Sequence, residues 1–189
     1  YHSENAFAPT YGAHREFLEF GWDQYVHLKA FAESFGLVFF ATAFDLPSVE
    51  FLARLGVQVI KIGSGQAENQ AVIAAAGRVG VPLIVSTGGA THAEVLRTAS
   101  WLDAMNAPPP YAILHAVSEY PTAPEAMNLR AISVLREELP STVIGLSDHH
   151  DGITYGPPAY VLGARIFEKH FTLSRSWKGT DQAFSLEPE

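Results

Sequence analysis

The stretch "ARIFEKHFTL", residues 164–173, sets three ionisable side chains in a row inside an apolar run. Ile166, Phe167, Phe171 and Leu173 ask for a core, yet Glu168, Lys169 and His170 sit among them. Charged side chains are almost never fully buried unless paired, because an unpaired buried charge is costly. "VQVIKIGS", residues 57–64, poses the same problem with Lys61, one of four lysines in the chain. A buried ammonium needs an anion, either a neighbouring carboxylate or a ligand's. In an acidic chain, a lysine accompanied by Ser64, Ser86 and Ser147 points to a phosphate or carboxylate site. Hydroxyls and loop amides would supply the remaining donors. "STGG" at 86–89 could cradle phosphate, although turn chemistry explains its glycines equally well.

His149 and His170 end consecutive apolar runs. Neighbouring parallel strands lie about 4.8 Å apart, so two imidazoles at matching depth could hold one divalent ion. Two histidines with oxygen ligands and water suit Mn²⁺, Fe²⁺, Co²⁺ or Zn²⁺. The plain alternative for either is a hydrogen-bonded polar residue without further role. His150 should point the other way, and His115, within "ILHAV", reads as a hydrogen-bonded core histidine. His2, His14, His27 and His92 read as surface residues. Phe39, Phe40, Trp101, Tyr160, Trp22 and Tyr25 read as packing.

The elements that must position these residues are legible from position 36 onward. Short β-branched and aromatic runs alternate with helical periodicity, as βα units do. The expected strands are 36–44, 57–64, 81–87, 111–118, 141–147 and 164–173. Helices are expected over about 13–35, 47–55, 68–79, 91–106, 127–138 and 156–163. Thr91 and Glu94 have capping-box spacing, and Pro157 and Pro158 fit a helical first turn after Gly156. Strands apolar on both faces indicate a parallel sheet covered by helices. Six such units without a Gly-rich dinucleotide fingerprint favour an α/β TIM-type barrel. In such a barrel the strand ends converge on one mouth, where active sites are built. Each expected strand ends in functional side chains: Thr42 and Asp45; Lys61 and Ser64; Ser86 and Thr87; His115, Ser118, Glu119 and Tyr120; Ser147, Asp148 and His149; Glu168 to His170.

Composition narrows the function classes. The chain has 189 residues, 48% of them hydrophobic and 17% charged, enough for one buried domain. A formal net charge of -8 without a Lys/Arg cluster argues against nucleic acid as a partner. No apolar run reaches the roughly 18 to 20 residues of a membrane span, and no signal peptide is visible. Cysteine is absent, which excludes disulfides and Cys-ligated zinc. A cytoplasmic location is the default expectation. The chain starts at Tyr1 with neither tag nor leader character, as a fragment of a longer protein would.

"KIGSGQAEN", "STGGA", "HAVSEYPT", "GLSDHHDG", "LGARIFEKHFTL" and "GTDQAFSLEP" follow one another in the order and approximate spacing of the sialic acid synthases. The chain resembles that family, which includes legionaminic and pseudaminic acid synthases, from about residue 16 to residue 189. The resemblance implies a TIM (β/α)₈-type barrel of which strands 3–8 are present here, as a single partial domain over residues 1–189. The small antifreeze-like domain that usually follows the barrel, and closes the partner's site in a homodimer, is not in this chain. The implied reaction condenses phosphoenolpyruvate with an open-chain N-acetylated hexosamine, giving a nine-carbon 2-keto acid and phosphate. Carried onto matching positions, Thr42, Lys61, Ser64, Ser86, Ser118, Tyr120 and Ser147 would surround phosphoenolpyruvate, with Lys61 and Tyr120 close to the chemistry. His149 and His170 would hold the divalent metal, Mn²⁺ or Mg²⁺, and Asp181 would approach the sugar. Glu168 and Lys169 would form or complete an ion pair at the barrel end. Gln66 stands among the sugar contacts where the family carries an acid, His150 where Thr is common, and Gln182 where His is common. The acid and lysine of the first two strands, and an arginine from the antifreeze-like domain, have no counterpart here. Two other readings compete: a Schiff-base aldolase using Lys61, and a non-catalytic sugar-phosphate-binding module.

Overall fold

Parallel strands joined by helices need long crossovers, and the chain supplies one helix between each successive pair of strands. The computed structural model describes residues 3–106 and 108–188, so His2 lies outside the described residues. The strands are β1 (Ala41–Ala43), β2 (Ile60–Ile62), β3 (Leu83–Ser86), β4 (Tyr111–Ala116), β5 (Val143–Asp148) and β6 (Ile166–Lys169). They form a single parallel sheet in chain order. The helices are α1 (Tyr11–Leu18), α2 (Trp22–Ser34), α3 (Leu46–Leu55), α4 (Gln70–Val79), α5 (His92–Asp103), α6 (Arg130–Glu138) and α7 (Gly156–Leu162). The sheet is strongly rolled. β2 and β6 are four strands apart, about 19 Å in a flat sheet at normal spacing, yet Lys61 Nζ and Glu168 Oε2 approach to 3.3 Å across its concave face.

Register separates the two faces. Thr42 pairs with Lys61 and Lys61 with Ile84, while Ser86 pairs with Leu114, Ala116 with Ser147, and Ser147 with Glu168. Since partners in register share a face and neighbours along a strand alternate, these residues line the concave side. The convex side carries Ile60, Ile62, Val85, Ile113, Ile144 and Leu146, all buried in the core cluster beneath the helices. The helices begin and end on local chemistry. Asp45 caps α3 by accepting from Ser48 N, Gly56 closes it in the left-handed region, and Thr91 and Glu94 form the expected capping box of α5. Pro157 and Pro158 sit in the first turn of α7.

Several expectations are corrected. The helix read over 13–35 is two, broken between Leu18 and Trp22, where Glu19 turns extended and Gly21 caps α2. Strands are shorter than the apolar runs: only Ala41–Ala43 of 36–44 pairs, because β1 is an edge with one neighbour. Phe40 and Tyr160 are exposed rather than core, the first just before an edge strand and the second on α7. His14, read as a surface residue, is 5% exposed, packed beneath Phe7 and accepting from its backbone N–H.

Candidate active site

The mouth of the rolled sheet gathers most of the residues singled out in the sequence. Lys61, 6% exposed, donates from Nζ to Ser86 Oγ at 2.7 Å. It also faces Glu168 Oε2 at 3.3 Å and the Ile62 carbonyl at 3.4 Å. Ser147 Oγ donates to the other carboxylate oxygen of Glu168 at 2.7 Å and lies 3.4 Å from His149 Nε2. Burial pushes the Lys61 ammonium below the ordinary lysine range, and Glu168 opposes that shift by charge and hydrogen bond. An anion from solution would meet this ammonium together with two serine hydroxyls.

A second group abuts the first. His149 Nδ1 lies 2.7 Å from the Val117 carbonyl, which fixes that nitrogen as the donor and leaves Nε2 as an acceptor. The His149 and His170 ring centroids are 5.4 Å apart, with Tyr120 4.1 Å from His149 and Phe184 5.2 Å from His170. His170 Nδ1 is 3.7 Å from Asp181 Oδ2. Burial holds His149 below the usual histidine range, with the Val117 carbonyl acting against it. The Tyr120 phenol is raised by burial and by the Asp181 and Glu168 charges, so it stays a hydrogen-bond donor at neutral pH. A neutral imidazole anchored through its remote nitrogen is the usual state of a metal-ligating histidine. Two rings at this separation can both reach one ion at the usual bond of about 2.0–2.1 Å. No set of three or more His, Cys, Asp or Glu side chains among the described residues is arranged to hold a metal. An ion held here would have only His149 and His170 as imidazole ligands and would need the rest from substrate or water.

A third group sits at the β3 turn. Ser64 Oγ accepts from Gly88 N at 2.9 Å, and a Cβ on Gly88 would stand 2.4 Å from Ser118 Oγ. Glycine is required there because the turn runs directly against the two serines. Thr42 is on the concave face at the β1 edge, in register with Lys61, and opens on a cavity of about 840 Å³ that Asp45 also lines. Gln66 is not hydrogen-bonded to the cluster: its Oε1 accepts from Asn69 Nδ2 at 2.8 Å. Asp45 and Thr87, both at strand ends, are occupied structurally, the first as a cap and the second by the Leu114 carbonyl. His115 hydrogen-bonds the Met127 carbonyl at 2.8 Å, as expected of a core histidine.

The expected pairing of Glu168 with Lys169 is corrected. Glu168 faces inward to Lys61, while Lys169 faces outward to Asp148 Oδ2 at 3.0 Å and to the His150 carbonyl. Adjacent residues on a strand cannot share a face, so one run of charge serves two separate pairs. Glu168 is thus a mouth residue, as its place among the strand ends implied, but its partner is Lys61 rather than Lys169.

Fold and site together define a parallel β/α barrel protein with a lysine–serine–carboxylate cluster and an imidazole pair at its mouth. The NeuB family model matches residues 1–189. The chain belongs to the NeuB family. N-acetylneuraminate-9-phosphate synthase of Drosophila melanogaster is 44% identical over 189 residues, all of this chain and 50% of the relative. The human enzyme of that name is 37% identical over 188 residues, 100% of this chain and 52% of the relative. N,N'-diacetyllegionaminic acid synthase of Legionella pneumophila is 35% identical over 181 residues, covering 91% of this chain and 49% of the relative. The chain spans about half the length of these curated relatives. A crystal structure of N-acetylneuraminic acid (sialic acid) synthetase from Leptospira borgpetersenii, in complex with citrate, matches with TM-score 0.88 at 34% identity, over 96% of this chain and 63% of that one. A truncated 3-deoxy-D-arabino-heptulosonate 7-phosphate synthase from Thermotoga maritima shares the fold, with TM-score 0.77 at 17% identity, over 89% and 67%.

Proposed function

We propose that this chain carries the mouth of a synthase that condenses phosphoenolpyruvate with an open-chain N-acetylated hexosamine, releasing phosphate and a nine-carbon 2-keto acid. The observation that carries the reading is the buried Lys61, ringed by Ser86, Ser147 and Glu168 and set against the His149–His170 pair. Lys61 and the hydroxyls of Ser86 and Ser147 hold the anionic substrate, with Ser64, Ser118 and Thr42 around it. Asp181 approaches the sugar beside His170, and the Tyr120 phenol donates a hydrogen bond at the rim. His149 and His170 would hold a divalent ion, Mn²⁺ or Mg²⁺, whose contribution is Lewis-acid polarisation of the sugar aldehyde. Positioning by the chain's own groups brings C3 of phosphoenolpyruvate onto the aldehyde carbon. Water then adds at C2, and the tetrahedral adduct loses phosphate with cleavage of the C–O bond. In its natural length the protein works as a homodimer in the cytoplasm.

Three carbons come from phosphoenolpyruvate, so C6 of the hexosamine becomes C9 of the product. Two relatives matched along the whole of this chain are named for a 9-phosphate product. The acceptor we infer is accordingly a hexosamine 6-phosphate. Phosphoenolpyruvate labelled with ¹⁸O in its bridging oxygen tests the chemistry: the label should leave in phosphate, and label retained in the keto acid would overturn the mechanism. The competing aldolase reading draws on the depressed Lys61 ammonium. Borohydride with substrate should trap no adduct on Lys61 if the synthase reading is right.

A further inference from the structure

The residues before β1 form a strap from the loop that follows β6 to the β1 edge. Thr10 caps α1 by accepting from Ala13 N, and α1 places Arg15 and Leu18 on the cavity shared with Thr42 and Asp45 at the β1 edge. From α1 the chain reaches back over the loop that follows β6. Asn5 Oδ1 accepts from Gly179 N at 3.3 Å, and Lys178 Nζ donates to the Ala6 carbonyl. The same ammonium lies 4.8 Å from the Phe7 ring centroid. Phe7 in turn stacks on His14 at 5.8 Å and Phe17 at 5.2 Å, so the strap is seated on α1. These contacts join residues more than 170 positions apart.

The loop they grip is the one that carries Asp181. Its other tether is Arg175, whose Nε donates to the Ser185 carbonyl at 2.8 Å and whose Nη2 meets Asp151 at 3.0 Å. Between the tethers the loop folds on itself: Ser185 Oγ donates to the Asp181 carbonyl, and Gln182 Oε1 accepts from Asp181 N. The Gln182 side chain lies so close to Gly179 that a Cβ there would stand 2.0 Å from Oε1. Any play at Lys178 and Gly179 therefore passes through Gln182 to the Asp181 backbone. A carboxylate displaced by about 1 Å loses its hydrogen-bonding geometry toward a substrate.

We propose that Asn5, Phe7 and Lys178 are positioning residues, which latch the strap to the Asp181 loop and fix that carboxylate against the sugar. The inference rests on the reading above that Asp181 meets the aldehyde substrate. Lys178 and Phe7 are exposed, so substitutions there leave the fold in place. In the protein at its natural length, Lys178→Met should raise the KM for the hexosamine substrate about five- to tenfold. The KM for phosphoenolpyruvate should change less than twofold. Lys178→Arg should restore most of the loss, and Asn5→Ala should act in the same direction more weakly. Hydrogen exchange followed by mass spectrometry should show faster labelling of residues 178–184 in Lys178→Met, with the β4 and β5 peptides unchanged. Equal shifts in both KM values, or unaltered exchange in the loop, would overturn the latch. If the wild-type protein performs no condensation, the site reading falls, and the exchange measurement alone still decides whether the strap holds the loop.

Discussion

Replacing Lys61 by Met separates substrate recognition from structural pairing at the mouth. The ammonium has three protein neighbours, Ser86 Oγ at 2.7 Å, Glu168 Oε2 at 3.3 Å and the Ile62 carbonyl at 3.4 Å. Methionine keeps most of the volume and removes the charge. Truncating one member of a hydrogen-bonded charge pair costs about 2–5 kcal/mol. Water reaches this mouth, since the Glu168 side chain is 39% exposed, so the lower half of that range applies. A loss of about 2–3 kcal/mol in phosphoenolpyruvate binding corresponds to an increase in its KM of roughly 30- to 150-fold. The fold should suffer far less. Glu168 keeps the Ser147 hydrogen bond and its access to water, and removing a buried ammonium relieves a desolvation cost. A net change of about 1 kcal/mol moves Tm by only about 2–4 °C in a domain of this size. Steady-state kinetics with each substrate varied in turn, beside a thermal melt, reads both quantities. A variant that unfolds, with unchanged phosphoenolpyruvate affinity in the folded fraction, would refute the reasoning and make Lys61 a structural lysine.

The imidazole pair predicts that a chelator abolishes activity and that His149→Ala or His170→Ala weakens Mn²⁺ binding at least tenfold, about 1.4 kcal/mol; titration calorimetry showing unchanged affinity in both variants would remove the assignment. His115 is held below its ordinary pKa by burial, against the Met127 carbonyl, so the unfolded chain binds more protons between that lowered value and about 6.5. The stability tied to its neutral form is complete above about pH 6.5 and falls as the pH drops through that window; the urea midpoint of His115→Gln should therefore lose less between pH 7 and pH 5 than the wild type, and equal losses would show that His115 does not contribute. The isolated 189 residues should scatter light and release no phosphate from the two substrates, because β1 and β6 are unpaired edges flanked by exposed Phe44, Phe167 and Phe171; a soluble, active monomer would contradict this.

What could be read in the sequence followed from local rules. The alternation of apolar runs and helical periods located all six strands, and Thr91, Glu94, Pro157 and Pro158 marked helix starts that the structure keeps. Lys61 and the two histidines stood out because their residue types conflict with their apolar surroundings. Three features escaped the sequence reading because each depends on how separate elements come to lie against one another. Nothing along the chain brings Glu168 to Lys61, 107 positions away, until β6 curls round to face β2. His14 reads as an exposed histidine on a short helix until Phe7 folds over it. Phe40 and Tyr160 read as aromatic packing between helices and barrel, whereas here they stand exposed beside an edge strand and on α7.

The two faces of β5 and β6 show how one pair of strands carries both chemistry and its own alignment. Inward parity holds Ser147, His149, Glu168 and His170, the residues around the anion and the proposed ion. Outward parity holds Asp148, His150 and Lys169. Lys169 bonds Asp148 at 3.0 Å and the His150 carbonyl, His150 N donates to Asp148 Oδ1 at 2.9 Å, and His150 Nδ1 lies 3.0 Å from the Thr122 carbonyl. Asp148 and Lys169 are also register partners. A slip of one residue between these strands would exchange the faces. It would bury Phe167 and Lys169 in the mouth while turning Glu168 and His170 outward, away from Lys61 and His149. That alternative leaves Asp148 without its cation and Lys61 without its carboxylate, two charges stripped of partners at once. The outward pair makes the inward arrangement the low-energy register. Glu168, Lys169 and His170 are tolerated in succession because alternate side chains have their own partners on their own faces.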